Sequence, residues 1–144
     1  MTTPTREPPT DDGSGSESFA LPSDATAAGV ARGHARHLLR RWSLSSIVEP
    51  VSLVVSELVS NAVRYGKPPF VLMLRRAGAG VRADVHDDSA EPQPRFPSVP
   101  VVPDASSTGG RGLGLVQAVS TETGVDQVPQ DGKRVWAVVE PPAD

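Results

Sequence analysis

In the stretch Ser56-Glu57-Leu58-Val59-Ser60-Asn61-Ala62-Val63-Arg64-Tyr65-Gly66, a carboxylate and a carboxamide stand four residues apart inside an apolar run. At helical pitch, about 100° per residue, the two side chains lie about 40° from each other at the margin of the apolar face. So placed, they can act on one ligand. Asn61 offers a carbonyl oxygen suited to Mg2+, an ion that keeps several waters and takes the rest of its shell from phosphates. Glu57 offers a base within reach of a water or hydroxyl attacking such a phosphate. Taken alone, the pair equally describes a solvated helix flank, the commoner circumstance.

Two further stretches carry chemistry. Thr108-Gly109-Gly110-Arg111-Gly112-Leu113-Gly114-Leu115 sets side-chain-free positions immediately before a helix. Backbone N–H groups there can point at an anion, which the helix dipole also favours. The spacing is not the dinucleotide fingerprint, which would need glycine where Leu115 stands, and no Gly-Lys-Ser/Thr follows as in a P-loop. The catalytic-loop Asp and DFG set of the eukaryotic kinases is missing as well. On its own the cluster is as readily a plain turn. His86-Asp87-Asp88-Ser89 closes a strand. An acid at the mouth of a sheet can accept a hydrogen bond from an exocyclic amine such as that of adenine, although Asp-Asp-Ser is also ordinary turn chemistry.

The elements that must position these groups follow from periodicity. Residues 1 to about 16 are too polar to repay the entropy of ordering and predict a disordered tail, with a second short one at 141–144. Ser18-Phe19-Ala20-Leu21 predicts an edge strand. Ser23 then reads as an N-cap with Asp24 in the first turn, opening a helix over roughly 24–42 in which Ala27, Ala31, His34, Leu38 and Trp42 recur at three- and four-residue steps. Val51, Val54, Val55, Leu58, Val59, Ala62 and Val63 define a second helix, stopped by Gly66 and Pro68. Residues 69–76 and 81–86, joined at Ala77-Gly78-Ala79-Gly80, predict a β-hairpin. Residues 90–109, rich in proline, predict a long loop of the kind that serves as a lid. A third helix is expected from Gly112 to about Thr121, then strands over 125–128 and 134–139 around a turn at Gln130-Asp131-Gly132. The order predicts an α+β, two-layer sandwich with helices on one face of a mainly antiparallel sheet.

Composition narrows the function. The chain has 144 residues, favouring a single domain, and its net charge of −3 argues against nucleic acid. No apolar run reaches the roughly 20 residues of a membrane helix, and the first residues lack the apolar segment of a secretory signal. The absence of cysteine excludes disulfides and thiolate metal sites and fits a cytoplasmic protein. His34 and His37, three apart without a third ligand, read as a core-edge and a surface histidine. Trp42 and Trp136 read as packing anchors. Arg32, Arg36, Arg40 and Arg41 read as the solvated face of the first helix.

The order of the three stretches says more than any one of them. Glu57-x-x-x-Asn61, then Asp87-x-Ser89 at a strand end, then Gly110-x-Gly112-x-Gly114-Leu115 opening a helix resembles the N, G1 and G2 boxes of the GHKL ATPases, which share the Bergerat fold. Within them, Val54-Val55-Ser56-Glu57-Leu58-Val59-Ser60-Asn61-Ala62-Val63 resembles the stand-alone bacterial anti-sigma-factor serine/threonine kinases. The likeness covers roughly residues 17–140.

The resemblance implies an ATP site with Mg2+. Asn61 would ligate the ion, Glu57 would be the general base, and Asp87, with Ser89 beside it, would bond the adenine amine. Gly110, Gly112 and Gly114, with Leu113 and Leu115, would wrap the phosphates under a mobile lid. Arg111 would be a γ-phosphate partner or a solvated charge. The partners implied are a sigma factor and an anti-sigma-factor antagonist protein; whether the chain forms a homodimer stays open. The alternative is a nucleotide-gated binding module that transfers nothing. Two positions depart from the family pattern. Ser89 stands where many members carry glycine, and Arg134 is placed near where a threonine hydroxyl is expected.

Overall fold

The computed structural model describes residues 15–89 and 111–142. Residues 1–14 of the predicted N-terminal tail, the lid and Gly110 therefore lie outside the described residues, whereas Ser16, which the sequence reading placed at the tail's end, already pairs with Arg75 in the sheet. The elements run β1 (Ser16–Leu21), α1 (Ala27–Arg41), a 3-10 turn (Ser45–Ile47), α2 (Val48–Tyr65), β2 (Phe70–Ala77), β3 (Gly80–Asp87), α3 (Arg111–Val119), β4 (Glu122–Gln127) and β5 (Lys133–Val139). The five strands form one sheet in the order β1-β2-β3-β5-β4. Every neighbouring pair is antiparallel, with Val85 opposite both Leu72 and Val135. The helices pack on one face, giving the expected α+β sandwich.

Period-two alternation divides the sheet into two faces. Leu72 and Leu74 of β2, Val81, Ala83 and Val85 of β3, and Val135, Ala137 and Val139 of β5 are buried beneath the helices. Asp87 and Lys133, at the ends of β3 and β5, continue this buried face and stand opposite one another in register. On the other face Arg82 binds Asp84, donating to Oδ2 at 2.8 Å, and lies 4.1 Å from the centroid of the Trp136 ring. The hydrogen bond to Asp84 is the main reason the Arg82 guanidinium is held above its ordinary pKa.

Helix α2 is the centre of the helical layer. Val51, Val54, Val55, Leu58, Val59 and Ala62 are buried, as their spacing predicts, against α1, α3 and the sheet. With the preceding 3-10 turn it forms a 21-residue segment containing an 18-residue window of mean hydropathy 1.3, long and apolar enough by those measures to cross a membrane. The sequence suggested no such segment. Half of that window is buried inside the protein, however, so its apolar surface is consumed by the core.

Other details correct the sequence reading. The α1 N-cap is Thr26 rather than Ser23, and no side chain caps it. Asp24 instead accepts hydrogen bonds from the Thr26 N–H and hydroxyl, which hold its carboxyl below the ordinary range. Arg32 is half-buried and donates to the Ser56 hydroxyl at 2.9 Å, tying α1 to α2, so it does not belong to a solvated face. His34, half-buried, stacks on Phe19 with ring centroids 4.2 Å apart, and His37 is exposed, as expected of a core-edge and a surface histidine.

Because α2 is buried on several sides, Leu58→Ala should lower unfolding stability in urea by about 2–5 kcal/mol, from lost burial plus the cavity left behind. Val30→Ser on the exposed side of α1, where Val30 is 39% accessible, should change it by no more than about 0.5 kcal/mol.

Candidate functional site

Both ends of the site are built on α2. Glu57 and Asn61 are half-buried on its last turns, where the apolar stripe gives way to the polar flank. Neither side chain has a hydrogen-bond partner among the described residues. The first turn of α3 comes up against Glu57: a Cβ added to Gly112 would collide with Glu57 Oε1. The absence of a side chain at position 112 is therefore what lets the α3 N-terminus meet the carboxylate. Leu113 is buried and anchors the turn, Gly114 is buried, and Leu115 is half-buried. Arg111 opens α3. Thus Gly112 and Glu57, 55 residues apart in sequence, are adjacent.

The other end forms where α2 stops. Gly66 caps the helix in an extended conformation, not the left-handed one that usually selects glycine there. Its requirement is space: a Cβ would lie 2.5 Å from Asp87 Cγ and 2.8 Å from the Ala62 carbonyl oxygen. The chain passes so close to Asp87 that the Lys67 N–H donates to its Oδ1 at 3.3 Å, and the Asp88 N–H donates to the Lys67 carbonyl at 2.8 Å. The Ser89 N–H donates to the same Oδ1 at 2.8 Å, an Asx-type turn that fixes the carboxylate. Asp87 is 1% exposed and Ser89 2%. The turn chemistry that the sequence offered for Asp87 is thus present, on a carboxylate that is also buried.

The partner that completes this end is Lys133. It is 1% exposed, and its ammonium lies 3.2 Å from both Oδ1 and Oδ2 of Asp87. The sequence placed Arg134 near this point. Strand alternation decides otherwise: Lys133 shares the helix-facing side with Val135, while Arg134 turns to the opposite face and is exposed. A signal for Lys133 was present in composition, since it is one of only two lysines in a chain with twelve arginines. A compact ammonium, rather than a planar guanidinium, is what the buried position accepts.

The two ends are separated along α2 by the nine residues from Glu57 to Gly66, roughly 13 Å at 1.5 Å per residue. One molecule can therefore meet a desolvated carboxylate at one end and a helix N-terminus with a glycine turn at the other. The described residues contain no group of three or more His, Cys, Asp or Glu side chains able to hold a metal ion by themselves. Asn61, with a hard carbonyl oxygen and no hydrogen-bond partner among the described residues, fits an ion whose remaining ligands come from phosphate and water.

The sequence model of one family, described as histidine kinase-like ATPase domain, matches residues 21–139, from the end of β1 to the end of β5. A comparison with curated proteins returns no match.

Gly66→Ala should lower stability by about 1–3 kcal/mol, the usual cost of forcing atoms into a packed site. Asp87 cannot yield, because Lys133 and two backbone N–H groups hold it. An unchanged urea midpoint would show that Gly66 and Asp87 do not pack as described.

Proposed function

This chain belongs to the histidine kinase-like ATPase domain family, and we propose that it is an ATP-dependent serine/threonine protein kinase acting as a regulatory switch. Family membership implies ATP binding. Phosphorylation of a small antagonist protein and sequestration of a sigma factor, both in the cytoplasm, are our further reading. They rest on the resemblance of residues 54–63 to stand-alone anti-sigma-factor kinases. The observation that carries the reading is the contact of Gly112 with Glu57. Glu57, without a hydrogen-bond partner among the described residues, lies beside Gly112, and on this reading a terminal phosphate and an attacking hydroxyl would meet there.

The residues divide the work as follows. Asp87 accepts the adenine amine. The backbone N–H groups around Gly112 and Gly114 receive phosphate oxygens, and their cost of ordering has already been met by folding. Asn61 and the phosphates would hold Mg2+, which when bound neutralises charge on the transferred group. Glu57 takes the proton from the acceptor hydroxyl. Half-burial suits that role, since a carboxylate already bonded to a protein donor would be a weaker acceptor.

Glu57→Gln should leave ATP affinity within about twofold, well under the tenfold that 1.4 kcal/mol represents, while abolishing transfer of labelled γ-phosphate to the captured antagonist. Retained transfer at the wild-type rate would remove Glu57 from the role of base. Absence of transfer by the wild type, with nucleotide-dependent partner binding intact, would instead favour the non-catalytic, nucleotide-gated module. Asn61→Ala should weaken Mg2+-dependent ATP binding by about tenfold, or 1.4 kcal/mol, with little effect on metal-free binding. Calorimetry with and without Mg2+ separates the two.

A further inference from the structure

A lysine 1% exposed is the least expected residue in this site. Removing an ammonium from water is costly, and the cost is offset only when its donors are met. Lys133 carries three N–H donors. Among the described residues its Nζ has one partner side chain, the Asp87 carboxylate, reached at 3.2 Å on each oxygen. At least one donor is thus left for something else. The acceptor is unevenly used as well. Asp87 Oδ1 takes the Lys67 and Ser89 N–H groups in addition to Lys133, whereas among the described residues Oδ2 has Lys133 alone. The pair therefore presents, side by side, an oxygen able to accept one more hydrogen bond and an ammonium able to give one more.

We propose that Asp87 and Lys133 together read the base, with Lys133 donating directly to the ring nitrogen next to the amine that Asp87 accepts. This rests on the nucleotide-site reading above and adds a specificity residue to it. An adenine edge presents an exocyclic N6 amine, a donor, beside N1, an acceptor; Oδ2 of Asp87 and Nζ of Lys133 match that order. Three features favour this assignment over a purely structural ion pair. The carboxylate is already oriented by two backbone N–H groups on Oδ1, so Lys133 is not the only group that fixes it. The pair continues the buried, helix-facing row of β3 and β5 beyond Val85 and Val135, at the sheet end where α2 stops. Among the described residues Asp87 Oδ2 has no donor other than Lys133, which leaves it room for the amine.

The test compares ATP with two analogues on the wild-type full chain by calorimetry. In 1-deaza-ATP a C–H replaces N1; in 7-deaza-ATP N1 is kept. A hydrogen bond from a charged donor makes 1-deaza-ATP bind about tenfold or more weakly than ATP, with 7-deaza-ATP within about threefold. Lys133→Met should weaken ATP binding by a similar factor and abolish the discrimination against 1-deaza-ATP. If that variant does not fold, the wild-type comparison decides alone. Equal affinity of the wild type for ATP and 1-deaza-ATP overturns the assignment while leaving the nucleotide site standing. Tighter ATP binding by Lys133→Met also overturns it, because the lysine would then obstruct the base. No binding of any of the three nucleotides would remove the nucleotide-site reading, and this assignment with it.

Discussion

A carboxylate almost without solvent contact must be surrounded by donors, and Asp87 draws the polar end of this molecule together to meet that demand. The chain leaving α2 supplies the Lys67 N–H, the turn after β3 supplies the Ser89 N–H, and the start of β5 supplies the Lys133 ammonium. Each donor comes from a different segment, so one acid fixes where α2 ends, how β3 turns and how β5 begins. Gly66 is part of the same requirement, because any side chain there would occupy the space of the carboxylate. The apolar layer beneath α2 provides the stability; this carboxylate provides the alignment.

Helix α2 transmits that alignment to the other end of the site. Its buried stripe, from Val51 to Ala62, leaves no rotational freedom about its axis, so Glu57 and Asn61 are held at the margin of the core. The α3 N-terminus can approach only because position 112 has no side chain. The result is a division between one end built from buried charge and backbone, and another built from the Gly112 turn and two polar side chains without a hydrogen-bond partner among the described residues. Such groups remain available to a ligand because the fold does not consume them. The features that support the kinase reading and the lysine-assisted base reading are thus consequences of one helix seated between two polar ends.

Much of this was legible from the residues. The three- and four-residue spacing of α2 has one solution in a packed core, and the hairpin over 70–87 is dictated by two strands around the Gly78-Ala79 turn. Glu57, Asn61 and Asp87 stood out by their order and spacing ahead of the glycine stretch; singly, each also fitted a helix flank or a turn. The α1 cap was less legible, since Ser23, Asp24 and Thr26 all suit a helix start and local preference cannot choose among them. Arg32 was misassigned to solvent because helical periodicity says which residues share a face, not where a neighbouring Ser56 will be found.

Sequence alone determined the element types, the face each helix buries and the identity of the polar groups at its margin, because these depend on side-chain chemistry at periods of two and 3.6. Tertiary structure decided which of those groups meet. That Gly112 rests on Glu57, that Gly66 makes room for Asp87, and that Lys133 rather than Arg134 neutralises it, all depend on register and on the separation of elements distant in the chain. A shift of one residue in β5 would send Lys133 to the open face and Arg134 inward. The hydrogen bonds and close packing of the assembled sandwich select between those arrangements.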